Sequence, residues 1–360
     1  MQDIVNLLQR LSPQTPELRF LTAAAAVVLA GTRLSKYGDI FSEKLKLGQA
    51  FVGLIFMSFA TALPEFFTST SAVVIEKSPN MALGNNLGSI FFNISILGWL
   101  DLVMRRKSLY GEVSSTVMVP GAVSLVMIAL SAFFLSIEMM RPGFSPVLFG
   151  MGAGSFVIFA AYAAGALFLH RFHQEHPAGD DEKQTHKDVS LGWTFAKYLA
   201  AAAVIAWAGV NLAKSGDELS VKYALSKSFV GSIFLAIATS LPEVTATITM
   251  VRHGFYEMAF GNIFGSNAFN VVILATVDLF HRGGYLFAGA ATEGSTDGLT
   301  TDASHIHLVT TSLSVLMTAI VVMGVMRKPG KMKLWMSWPS ALLFVTFIIG
   351  AWVMYALGAR

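Results

Sequence analysis

Long apolar runs separated by short polar stretches fill the whole chain, and ten of them approach the ~20 residues that cross a bilayer core. They run roughly Leu18–Leu34, Gln49–Ile75, Ala82–Met104, Thr116–Ile137 and Pro146–His170, then Gly192–Leu212, Ser228–Val251, Met258–Phe280, Leu308–Met326 and Leu334–Leu357. Read as helices, they predict an all-α integral membrane protein with ten transmembrane helices. A polar stretch from Arg171 to Ser190, with an acidic GDDEK core, separates the first five from the last five. The chain thus divides into a first five-helix unit (1–170), a linker (171–190) and a second five-helix unit (191–360).

The two units share sequence. Gly53 to Glu65 reads GLIFMSFATALPE and Gly231 to Glu243 reads GSIFLAIATSLPE, a constant shift of 178 positions that holds without a gap back to Ala30. The match resumes as MALGNNLGSIFFN from Met81 and MAFGNIFGSNAFN from Met258. Five spans per unit is an odd number, so the second repeat must enter the membrane upside down. Such inverted repeats place a transport site near the midplane, on discontinuous helices.

Composition agrees with a membrane protein. Charged residues make up 13% and hydrophobic residues 54%, whereas a soluble chain carries about 25% charged residues. The net charge of +3 clusters at span ends, which argues against nucleic acid as a partner. No obligatory protein partner is evident. With no cysteine in the chain, disulfides and thiolate metal sites are excluded. The N-terminus lacks the basic start and cleavage site of a signal peptide. Lysine and arginine concentrate after the odd-numbered spans: Arg33/Lys36/Lys44/Lys46, Arg105/Arg106/Lys107, Arg171/Lys183/Lys187 and Arg327/Lys328/Lys331/Lys333. The positive-inside rule makes that face, with the linker, cytoplasmic. Both termini and the Gly/Ser/Thr-rich insert Gly289–Ser304 are then external, in the plasma (inner) membrane.

The chemistry lies in spans 2 and 7. Proline supplies no N–H and its ring clashes with the carbonyl four residues back, so Pro64 and Pro242 predict breaks that free carbonyls near Ala60 and Ala238. Thr61, Thr239 and Ser240 bring hydroxyls there, and Glu65 and Glu243 bring two carboxylates. An ionisable residue within a span is by default a functional-site hypothesis. On spans 3 and 8, Ser89 and Asn93, like Ser266 and Asn270, are four apart and share a helix face. Gly84/Gly88 and Gly261/Gly265 have the small-xxx-small spacing that lets helices approach closely. Hard cations such as Ca²⁺ take about six to eight oxygen ligands, and carboxylate, carbonyl, amide and hydroxyl oxygens are all present. A lone proline or GxxxG in a membrane helix is usually a kink or a packing contact. Their joint repetition at matching positions favours a site. Asp101 and Asp278 also correspond, as do Lys36/Asp39 and Lys214/Asp217, with interfacial ion pairing the expectation. The linker histidines His173, His176 and His186 read as solvated. His305 and His307 close the insert, which reads as a flexible loop.

ATALPEFFTS with GNNLGSIFFN, and IATSLPEVTA with GNIFGSNAFN, resemble the two alpha-repeats of the sodium/calcium exchanger family, in the cation/calcium antiporter superfamily. The motif regions span about 49–104 and 228–280. The resemblance implies a secondary active antiporter, not an enzyme, exchanging Ca²⁺ for Na⁺ by alternating access, with Glu65 and Glu243 as the central calcium ligands. It also implies that Thr61, Thr239, Ser240, Ser89, Ser266, Asn93 and Asn270 line the ion sites. The ions bind transiently and no resident cofactor is implied. The chain departs from the family pattern at Ala62, where many members have a polar residue. It has Asn at both 93 and 270, where some relatives have one aspartate. Two central carboxylates remain, enough to balance one Ca²⁺. A cation/proton antiporter using the same glutamates is the alternative; a non-transporting receptor or scaffold would need neither paired carboxylates nor matching breaks.

Overall fold

The computed structural model describes residues 15–44, 58–104, 107–175, 190–281, 285–292, 302–329 and 336–358. The described secondary structure is helical except for one hairpin of two two-residue strands. In the first half, α1 is Pro16–Lys44, α2 Ser58–Thr61, α3 Leu63–Val74, α4 Pro79–Val103, α5 Met118–Met140 and α6 Ala153–Glu175. The hairpin, β1 Val147–Leu148 with β2 Met151–Gly152, precedes α6. In the second half, α7 is Leu191–Lys222, α8 Lys227–Thr239, α9 Leu241–Arg252, α10 Tyr256–Asp278, α11 Leu286–Thr292, α12 Asp302–Arg327 and α13 Trp338–Gly358. Among the described residues seven helices are long and apolar enough to cross a membrane, or eight if the bent pair α8/α9 is one span. This is an integral membrane protein.

Local chemistry sets the helix starts. Ser78 caps α4, its hydroxyl accepting from the Met81 N–H at 3.4 Å, and Pro79 follows where a missing N–H costs nothing. Ser226 caps α8 in the same way, accepting from the Phe229 N–H at 3.1 Å. Gly254 follows the end of α9 at φ 82°, a backbone angle that glycine adopts without penalty.

The buried centre is made by α4 and α10. Of their apolar windows 78% and 89% are buried, against 22% for α6 and α13, which lie at the periphery. Outward-facing residues such as Phe133, Ile348 and Trp352 are exposed apolar groups, as a lipid solvent requires. Helix α4 packs on α3, α8, α10, α12 and α13. Gly84 and Gly88 lie so close to the backbone around Ser228–Ser232 that no Cβ would fit, and Gly231 lies as close to Met81. Helix α1 lies along α7, tied by Arg19 to Glu218 at 2.7 and 2.8 Å and by Lys222 and Tyr223 to Glu17.

The structure corrects several expectations. The fifth span was expected from Pro146, but α6 begins at Ala153, and the residues before it form the hairpin. Helix α11 occupies the start of the insert expected to be a loop, while 293–301 lie outside the described residues. His307 is not a loop residue: it is fully buried in α12, with Nε2 2.9 Å from Asn80 Oδ1 and 3.2 Å from Ser228 Oγ. Most of the linker, with His176 and His186 and the side chain of His173, lies outside the described residues.

Asp101 and Asp278, near the ends of α4 and α10 as expected, are fully buried clasps. Asp101 Oδ1 accepts from the Leu109 N–H at 2.8 Å, and Oδ2 from the Ser337 N–H and the Ser337 and Ser340 hydroxyls, each at 2.8 Å. Asp278 Oδ1 accepts from the Leu286 N–H at 2.7 Å, and Oδ2 from the Gly152 N–H at 2.8 Å and the Ser155 hydroxyl at 2.6 Å. Each carboxylate therefore fastens the end of a central helix to the start of a peripheral one, α4 to α13 and α10 to α6. Of the expected span-end ion pairs, Asp217 is paired with Lys227 at 2.8 Å, while the side chain of Asp39 lies outside the described residues.

Asp278→Asn turns an all-acceptor group into one that points an NH₂ at other donors. The expected cost is about 1–3 kcal/mol, read as a lower midpoint of thermal unfolding in detergent, and Asp101→Asn should move the same way. Unchanged midpoints in both would show that these bonds do not hold the helix ends.

Candidate functional site

Two helix breaks build the site. Ala62, between α2 and α3, has φ −83° and ψ 1°; Ser240, between α8 and α9, has φ −85° and ψ 4°. Both lie in the sparsely populated bridge region. The interruptions therefore fall two residues before the prolines, and Pro64 and Pro242 start the new helices instead of kinking old ones. Helices α8 and α9 meet at 43°. Ahead of that break, Val230–Leu235 is π-helical, a bulge frequent at functional sites. Glu65 and Glu243 sit in the first turns of α3 and α9, where the helix dipole favours negative charge.

All nine residues expected at the site are fully buried: Glu65, Glu243, Thr61, Thr239, Ser240, Ser89, Asn93, Ser266 and Asn270. Contacts cross between the repeats. Ser240 of the second repeat donates to Glu65 Oε1 at 3.0 Å, and Ser89 donates to the same oxygen at 3.3 Å. Ser266 donates to Glu243 Oε1 at 3.5 Å and lies 3.2 Å from the Thr61 hydroxyl. Ser89 and Thr239 are 3.4 Å apart. Ala62 stands where Ser240 stands in the other repeat, so that donor is missing from the first break. Asn93 donates its amide N–H to Asn267 Oδ1 at 3.3 Å, joining α4 to α10.

Several polar atoms have no hydrogen-bond partner among the described residues. Glu65 Oε2, Glu243 Oε2, Asn93 Oδ1 and both amide atoms of Asn270 are buried without a hydrogen bond. Buried polar groups are normally satisfied, and each exception calls for an explanation. Four of these five atoms are oxygens, two of them on carboxylates. Among the described residues no group of three or more His, Cys, Asp or Glu forms a metal cluster. The donor set is two carboxylates plus neutral oxygens, which suits a hard cation of low total charge.

A supporting layer escaped the sequence reading. Asn85 donates to the Glu65 carbonyl at 3.3 Å and to Ser69 Oγ at 2.9 Å, and its Oδ1 accepts from Thr239 at 3.1 Å. Asn86 also donates to Ser69, at 2.6 Å. In the second repeat Asn262 donates to Thr247 at 3.2 Å, and Ser58 donates to the Asn262 carbonyl at 3.3 Å. The repeat carried a signal, because Asn85 matches Asn262 and Ser69 matches Thr247.

The sequence pattern of the family described as "Sodium/calcium exchanger protein" matches residues 18–168 and 193–353. The chain belongs to this family. It is a membrane antiporter of that family. Among curated proteins it is 25% identical over 254 residues to inner membrane protein YrbG of Escherichia coli K12, covering 69% of this chain and 74% of that one. It is 24% identical over 277 residues to the putative antiporter CaxA of Alkalimonas amylolytica, covering 75% and 82%. Among solved structures, the sodium-calcium exchanger NCX_Mj superposes with a TM-score of 0.59 at 16% identity, over 92% of this chain and 96% of that one. The H⁺/Ca²⁺ exchanger CAX superposes with a TM-score of 0.67 at 12% identity, over 99% and 88%. Identities this low establish a shared fold.

Asn85→Leu removes one hydrogen bond each from Ser69, Thr239 and the Glu65 carbonyl, while Ser69 keeps Asn86 and Thr239 keeps the Leu235 carbonyl. We expect a loss of about 1–3 kcal/mol in detergent unfolding, and little change for Thr249→Val on the exposed face of α9. Equal effects of the two substitutions would remove Asn85 from the support of the site.

Proposed function

We propose that this chain exchanges Ca²⁺ for Na⁺ by alternating access, at a site whose fixed charge comes from Glu65 and Glu243. The observation that carries this reading is the pair of buried carboxylates at matched helix breaks, each with one oxygen that no group among the described residues satisfies. Two carboxylates balance one Ca²⁺ or two Na⁺. Thr61, Thr239, Ser240, Ser89, Ser266, Asn93 and Asn270 supply neutral oxygens. With Ala62 in place of a hydroxyl residue, the two ends of the site are not equivalent, and the end nearer Ser240 is the richer in oxygen ligands.

The proposal includes ten spans in two inverted five-helix repeats (1–170 and 191–360), with a cytoplasmic linker and external termini in the plasma membrane. The matched clasps support the repeat plan: Asp101 holds Leu109 and the Ser337–Ser340 turn, and Asp278 holds Leu286 and the Gly152–Ser155 turn. Helix α1 is the first span and α2/α3 the described part of the second.

The decisive experiment is ⁴⁵Ca²⁺ uptake into proteoliposomes against an outward Na⁺ gradient. Burying an unbalanced divalent ion costs several kcal/mol or more, so Glu65→Gln and Glu243→Gln should each abolish uptake while the protein still purifies as a monodisperse particle. Wild-type flux in both variants would refute the site. Uptake that follows an outward proton gradient and ignores Na⁺ would replace the coupling ion and keep the site. Exchange of three or more Na⁺ per Ca²⁺ moves net charge, worth about 2.3 kcal/mol per 100 mV, so an imposed potential should change the rate. A rate independent of potential would rule out that stoichiometry alone.

Topology has its own test. Single cysteines placed in this cysteine-free chain report their side to an impermeant reagent on intact cells. Positions in Gly289–Ser304 should label and positions in Arg171–Ser190 should not; the reverse pattern would invert the orientation.

A further inference from the structure

The segment between α5 and α6 is neither a span nor an ordinary polar loop. From Pro142 to Leu169 the sequence has no charged residue, yet its first part does not join α6. Phe149 and Gly150 both take positive φ, 51° and 84°, the requirement of the two-residue turn that matches strand twist. A non-glycine residue at positive φ is uncommon, and asparagine or aspartate is the usual choice. Here the position is phenylalanine, and it is 93% exposed. Met140, Phe144, Val147 and Leu148 are also exposed, so the exposed side chains around the tip are mostly apolar. Arg141 lies over the Phe144 ring, 5.9 Å from its centroid.

The base of the segment is held firmly. Glu138, fully buried, accepts from the Gly143 N–H at 2.8 Å and the Ser145 N–H at 2.9 Å. The Ala153 N–H donates to the Pro146 carbonyl at 2.8 Å. At the far end the Gly152 N–H is bound by Asp278, at the end of the site helix α10. The tip is thus an apolar projection on a fixed base.

Helix length fixes where it projects. Helices α5 and α6 have 23 residues each, about 34 Å at 1.5 Å per residue, against a hydrocarbon core of about 30 Å. Both helices complete the crossing, so the hairpin joining them stands at the membrane surface. Exposed Phe and Leu side chains of surface segments bury at the boundary between headgroups and acyl chains, and a basic side chain there reaches lipid phosphate while its stem stays in apolar surroundings.

We infer that the hairpin Arg141–Gly152 is an interfacial membrane anchor, its tip residues Leu148 and Phe149 seated at the boundary between lipid headgroups and acyl chains. Its hydrogen bond to Asp278 makes it a fixed reference for the end of α10. The partner is the lipid surface, not a second copy of the chain.

The test places one cysteine at Phe149→Cys in the otherwise cysteine-free full-length chain. It is labelled with an environment-sensitive nitrobenzoxadiazole dye and reconstituted in phosphatidylcholine/phosphatidylglycerol vesicles. Leu148→Cys serves as a second reporter if the first variant fails to fold. The expected result is emission shifted to the blue, protection from aqueous iodide, and stronger quenching by nitroxides near the headgroup than by those at the bilayer centre. Full iodide quenching with no response to lipid nitroxides would place the tip in water and overturn the inference. Strongest quenching by the bilayer-centre nitroxide would overturn the interfacial placement. Protection from both quenchers, changing with the protein-to-lipid ratio, would assign the surface to a second copy and overturn it too.

Discussion

A carboxylate buried in a membrane protein must find hydrogen-bond donors or a cation, because hydrocarbon offers neither. Among the described residues five fully buried carboxylates meet that constraint in two different ways. Asp101, Asp278 and Glu138 have both oxygens engaged by backbone N–H groups and, for the two aspartates, serine hydroxyls as well. Glu65 and Glu243 have only one oxygen engaged. Fully satisfied carboxylates are structural, and in the proposed exchange the half-satisfied pair is where a mobile cation would complete the set. Most of the other features follow from holding that pair in place: the two bridge-region breaks, the glycine contacts of α4 with α8, and the asparagine layer around Ser69 and Thr247.

The arrangement also limits the charge that the site can carry. Its remaining groups are neutral, with Asn at both 93 and 270 and Ala at 62. Hydroxyl and amide oxygens bind a cation weakly enough to release it, which an antiporter needs and a tight structural metal site does not. The crossed contacts, Ser240 to Glu65 and Thr61 to Ser266, make each half of the site depend on both repeats. A shift of one repeat relative to the other therefore alters both halves together.

Much of this was legible in the sequence because repetition filters chance. The shift between the two LPE motifs located both breaks and both glutamates, and the four-residue spacings placed Ser89, Asn93, Ser266 and Asn270 on inward faces. What failed had physical reasons. Hydrophobicity alone does not separate a helix start from an apolar hairpin, so Pro146–Gly152 was absorbed into a span. The roles of Asn85 and Asn267 depend on partners brought from other helices, Thr239 and Asn93, which no local pattern specifies. His307 followed a polar insert in sequence, but the turn positions of α12 carry it into the interior beside Asn80. Asp101 and Asp278 lie near span ends as expected, but their partners come from helix starts far along the chain.

The central claim is that Glu65 and Glu243 are together the counter-charge for one divalent cation. Equilibrium binding of ⁴⁵Ca²⁺ to purified protein in detergent, without Na⁺, tests it apart from transport. The account predicts one Ca²⁺ bound per chain in the native protein, displaced by added Na⁺, and none in a Glu65→Gln/Glu243→Gln double variant that remains monodisperse. Undiminished Ca²⁺ binding by that double variant would contradict it.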